Sequence, residues 1–114
     1  MSLPEYTKKL VEQTLATYCD ERVPAHARHQ VQLKFSFRGD TVTLFEERKA
    51  WDDPTKTMQI NIARFKFESK SKKWSLYWAD RNSKWKLYEY VKPSAVFTKL
   101  LEAVEEDITR IFWG

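Results

Sequence analysis

Apolar and polar residues alternate strictly from Val31, with Val31, Leu33, Phe35 and Phe37 set against Gln32, Lys34, Ser36 and Arg38. A period of two is that of a strand with one buried face. Gly39-Asp40 then supplies a Gly-X hairpin turn. Centring the turn there sets Phe37 opposite Val42 and Phe35 opposite Leu44, which keeps apolar side chains on one face of two antiparallel strands. WDDPTKT, residues 51–57, breaks the pattern with two Asp and a Pro and reads as a loop. A third strand, MQINIARFKFE, follows. Its apolar parity moves by one between Ile62 and Ala63, which fits either burial on both faces or a bulge. A turn at Lys70-Ser71 pairs Phe67 with Trp74 and Phe65 with Leu76, so WSLYWAD is the fourth strand. A tip at Asn82-Ser83 returns the chain as a fifth, with Trp78 opposite Leu87, Asp80 opposite Trp85 and Tyr77 opposite Tyr88. That register gathers Trp74, Trp78 and Trp85 on the side of Phe35, Phe37, Leu44 and Phe65, and sends Tyr77, Tyr88 and Tyr90 to the other.

Helical spacing brackets the strands. Pro4 suits a first turn, and Tyr6, Leu10, Val11, Leu15 and Tyr18 recur at intervals of three and four up to Cys19. Pro24 stops that helix, and VPAHARHQ connects it to the strands. After Lys92-Pro93, Ser94 offers an N-cap, and Phe97, Leu100, Leu101, Val104, Ile108 and Ile111 follow helical spacing. The pattern therefore predicts an α+β fold: a single five-stranded antiparallel β-meander whose N-terminal and C-terminal helices pack on its Trp-rich face. Residues 1–114 read as a single domain, without repeat or linker.

Composition narrows the possibilities. The chain of 114 residues is 42% hydrophobic and 32% charged, which fits a globular domain. MSLPEYTKK lacks the apolar core of a secretory signal, and no apolar run approaches the roughly 20 residues that span a bilayer, so a cytoplasmic location without membrane contact is expected. One cysteine, Cys19, excludes an internal disulfide and a multi-cysteine zinc site. The net charge is +4, and residues 94–114 are acidic, so the basic character lies outside the last helix.

That basic character defines the first candidate site. The registers place Lys34, Arg38, Arg64, Lys66, Tyr77, Lys86, Tyr88 and Tyr90 on the uncovered sheet face. Cations there offset phosphate charge, and rings stack on bases for roughly 1–3 kcal/mol each. An ordinary solvated sheet face has much the same composition. Other constellations are thinner. Glu47-x-Lys49 matches part of a metal-dependent nuclease site, yet Asp40 lies seven residues away along the strand, roughly 23 Å, leaving Asp52 or Asp53 as partners. His26 and His29, with Cys19 and Asp20, offer metal-ligand chemistry at no recognised spacing. DRNSK at the hairpin tip has residues that make tight turns. Two glycines, Gly39 and Gly114, are too few for a phosphate loop, and no nucleophile–base arrangement is spaced suggestively. The apolar end, Ile111-Phe112-Trp113, is expected to fold back onto the domain's own core, with docking into a second subunit as the alternative.

RGDTVTLFEER at 38–48, WSLYWADRNSKW at 74–85 and the terminal IFWG resemble a bacterial family known as domain of unknown function 3024. The resemblance spans most of the chain. It implies a bacterial source and a compact single domain, and it brings no catalytic residue.

The leading functional expectation is a non-enzymatic module that binds single-stranded nucleic acid through Lys34, Arg64, Lys66, Tyr77, Lys86, Tyr88 and Tyr90, with no cofactor. A protein-interaction or homodimerisation domain using the same face or the IFWG tail is second. A metal-dependent hydrolase is third.

Overall fold

A computed structural model describes the chain except for residues 1, 2, 25, 27–30, 51, 54 and 114. Pro4 stands at the N-cap of α1 (Glu5–Arg22), where a missing N–H costs nothing because the first turn leaves such donors without a helical partner. Val11 and Leu15 are its buried residues, and Tyr18, Cys19 and Val23 pack partly against the core. Tyr6 and Leu10 share the stripe but remain largely exposed.

Five strands follow: β1 (Val31–Arg38), β2 (Thr41–Lys49), β3 (Thr57–Glu68), β4 (Lys73–Ala79) and β5 (Trp85–Leu87), paired antiparallel in chain order. Gly39 takes φ 62°, the left-handed geometry that the β1–β2 turn requires. Phe37 pairs with Val42 and Phe35 with Leu44, as the alternation dictates. Phe67 pairs with Trp74 and Phe65 with Leu76. The parity change in β3 is a bulge: the register shifts between Leu44 and Phe45, Ile62 is left without a partner opposite, and both Ile62 and Ala63 are buried.

The β4–β5 register differs from the expected one. Tyr77 pairs with Leu87, Trp78 with Lys86 and Ala79 with Trp85. Asp80 and Lys84 close a three-residue loop, through the Asp80 N–H donating to the Lys84 carbonyl at 2.8 Å, and Ser83 holds φ 62°. This is the odd-numbered hairpin in which a left-handed residue follows a type I turn. An odd loop reverses the parity that a two- or four-residue loop gives, so every side chain of β5 changes face. Trp85 leaves the core side, and Lys86 and Tyr88 join it.

α2 (Phe97–Glu106) buries Phe97, Leu100, Leu101 and Val104. Its N-cap is Val96, and Ser94 is used one step earlier: it pairs with Trp74 through two backbone bonds, and its hydroxyl accepts the Val96 N–H at 3.1 Å. Asp107 stops the helix in the left-handed region (φ 45°, ψ 53°), so Ile108 and Ile111 lie beyond it. The Asp107 carboxylate then accepts the N–H groups of Phe112 at 3.0 Å and Trp113 at 2.8 Å. Trp113 donates its indole N–H to the Val104 carbonyl, and Phe112 is buried against Tyr88 with ring centroids 4.9 Å apart. The tail is therefore folded back onto its own domain. α1 packs on β1 and α2 on β4, and the core between helices and sheet runs from Leu33 and Leu44 through Phe65 and Trp74 to Leu100 and Val104.

Candidate functional site

The sheet face away from the helices is assembled by register alone. One row crosses all five strands: Ser36, Thr43, Arg64, Tyr77 and Leu87. A parallel row brings Arg38, Thr41, Lys66 and Ser75 together, and Lys34 lies beside Phe45. By the same parity the cations on this face are Lys34, Arg38, Lys49, Arg64, Lys66 and Lys73, against the carboxylates Glu47 and Glu68. That surplus equals the net charge of the whole chain, +4, so the rest of the molecule is balanced.

Arg64 is the centre of the face. Its Nε donates to the Thr43 hydroxyl at 3.1 Å, and its guanidinium lies 4.3 Å from the centroid of the Trp85 ring. Among the described residues no carboxylate pairs with it. Partial burial, and then the nearby charge of Arg38, lower its pKa from the usual arginine value. It remains a cation at any ordinary pH, held in place by a hydroxyl and a ring. Lys66 is exposed, whereas Lys34 is engaged with Glu47 at 3.2 Å. Tyr77 and Trp85 are half-buried.

Three expected members are elsewhere. Lys86 projects to the helix side, 5.8 Å from the Trp78 ring centroid and 3.5 Å from Asp80. Tyr88 is 2% exposed in the core, where its hydroxyl lies 3.2 Å from that of Thr109, so its ring is closed to a base. Tyr90 is exposed but packs on Tyr88, 5.5 Å between centroids, on that same side. Leu87 takes the place opposite Tyr77 that Tyr88 vacates, and Trp85, opposite Ala79, brings a different ring to the face. Asp80 was the available signal for this, because its carboxylate accepts the N–H groups of Asn82 and Lys84 and so closes a three-residue loop.

The catalytic and metal candidates separate in space. Glu47 is tied to Lys34, and Asp53 is tied to Thr55, whose hydroxyl and N–H hold the Asp53 carboxyl below its ordinary range. His26 is exposed, and His29 lies outside the described residues. Cys19 is half-buried, its thiol pushed up to about 11 by burial and then by the charge of Asp20, which keeps it protonated and unreactive at neutral pH. Among the described residues, no three His, Cys, Asp or Glu side chains are grouped as a metal site, and no helix is long and apolar enough to cross a membrane.

No curated protein matches the chain, and no solved structure does. One family model matches residues 3–114, nearly the full length and all three of the segments that carried the resemblance. The chain belongs to the family described as a domain of unknown function (DUF3024).

Proposed function

We propose that the open sheet face binds single-stranded nucleic acid, with Arg38, Arg64 and Lys66 on the phosphates and Tyr77 and Trp85 as stacking platforms. One observation carries the reading: Arg64 is stacked on Trp85, held by Thr43 and, among the described residues, without a carboxylate partner. Opposite charges that meet across a strand pair stabilise it, as Lys34 and Glu47 do here. A cation immobilised against a ring, beside further cations, combines the electrostatic and stacking terms of single-strand binding. No step of this role needs a nucleophile, metal or cofactor, so it is a binding function. A protonated lone thiol suits a reducing bacterial cytoplasm, the setting this reading assumes.

Anisotropy of a short labelled oligonucleotide tests the residue assignment. Trp85→Ala and Tyr77→Ala should each weaken binding by roughly 1–3 kcal/mol. Lys86→Ala and Tyr90→Ala, on the opposite side, should change it little. The reverse ranking would contradict the proposal.

A further inference from the structure

α1 is apolar over more of its surface than the core uses. Tyr6 and Leu10 lie one turn apart and remain 74% and 47% exposed, while Val11 and Leu15 beside them are buried. This surplus lines a groove of about 730 Å3 to which Val96 and Phe97, where α2 begins, and Trp74 of β4 also contribute. Small-molecule sites commonly occupy roughly 300–1,000 Å3 with mainly apolar walls. The groove fits that class, and it lies on the helix side, remote from the open face.

Its charge is one-sided. Lys72 lines the groove, and among the described residues no carboxylate does. Lys72 sits in the β3–β4 turn at φ 56°, a geometry glycine would adopt more readily. α2 begins on the same groove without a side-chain cap and without an acidic residue in its first turn, which leaves the positive end of that helix uncompensated. An apolar trough with a cation on its lining and no anion complements a ligand of opposite polarity: a long alkyl chain with a negative head.

We propose that the groove binds a monomeric long-chain carboxylate, its chain against the exposed Tyr6, Leu10 and Val96 and its head group on Lys72. The apolar walls set the dependence on chain length, and Lys72 sets the preference for an anion.

Calorimetric titration of the full chain with octanoate, decanoate and dodecanoate, each below its micelle concentration, tests this, with neutral dodecyl maltoside as comparator. One saturable site is expected, with affinity rising about fourfold per added methylene. Lys72→Gln should weaken dodecanoate roughly threefold or more and leave the maltoside unchanged. Leu10→Asn, at an exposed position that the fold tolerates, should weaken both, with an unchanged circular dichroism spectrum. Arg64→Ala, on the other face, should leave dodecanoate binding intact. Absence of saturable binding, indifference to chain length, equal effects of Lys72→Gln and Arg64→Ala, or binding only to anionic vesicles would overturn the proposal.

Discussion

Tyr18 and Cys19, adjacent on α1, are both held protonated by the fold. Burial raises the Cys19 thiol from 9.0 to about 11, and Asp20 adds to it. Burial also raises Tyr18 above its usual 10.0, helped by the hydrogen bond its hydroxyl donates to Glu105 at 2.7 Å. The consequence is a stability that depends on alkaline pH. Between about pH 9 and 11 the unfolded chain gives up these protons while the folded chain keeps them, so stability falls as pH rises through that window. Below it both states are protonated and these groups contribute no slope. Each group is only half-buried, so solvent screening reduces the Cys19 effect to on the order of 1 kcal/mol. Urea midpoints at neutral pH and at about pH 10 should differ accordingly, and Cys19→Ala should remove the earlier part of the decline. A midpoint independent of pH across that range would show that neither group is held as described.

Among the elements, the decisive feature is what occupies the left-handed backbone positions. Lys72, Ser83, Asp107 and Arg110 all have positive φ, and the chain has only two glycines. Glycine usually announces such positions in a sequence, and here it announces one of them, at Gly39. That explains what was legible. The β1–β2 and β3–β4 registers follow from alternation plus facing aromatics, and α1 and the start of α2 follow from apolar spacing. The β4–β5 loop and the end of α2 were hidden because Ser83 and Asp107 stand where glycine would have marked them. The candidate face was legible in the same measure: Lys34, Arg64, Lys66 and Tyr77 came from alternation, while Trp85 depended on a loop length that no glycine signalled. Ser83→Gly should relieve a left-handed non-glycine residue and raise stability by roughly 0.5–1 kcal/mol, less the added freedom of the unfolded chain. Thermal denaturation checks this. A lower melting temperature would mean that the Ser83 side chain contributes more to the loop than its backbone geometry costs.

Across the whole molecule, the net basic charge and the apolar groove lie on opposite sides of one sheet. The helix side holds the core, the docked tail and the apolar groove. The open side holds the basic excess, ordered in rows by strand register, with Arg64 on the central strand reaching to Trp85 on β5. A cation that merely adds to net charge and one that belongs to a site differ in how salt affects them. Each phosphate contact on a single strand releases counterions and contributes about −0.7 to the slope of log affinity against log salt. The most direct test is therefore that slope for a short single-stranded oligonucleotide, measured for the native chain, for Arg64→Ala with Lys66→Ala, and for Lys9→Ala with Lys99→Ala, which removes the same charge from the helices. The first pair should flatten the slope by roughly one to two units and the second should leave it nearly unchanged. Equal flattening by both pairs, or no binding at low salt, would contradict a nucleic-acid site on the open face.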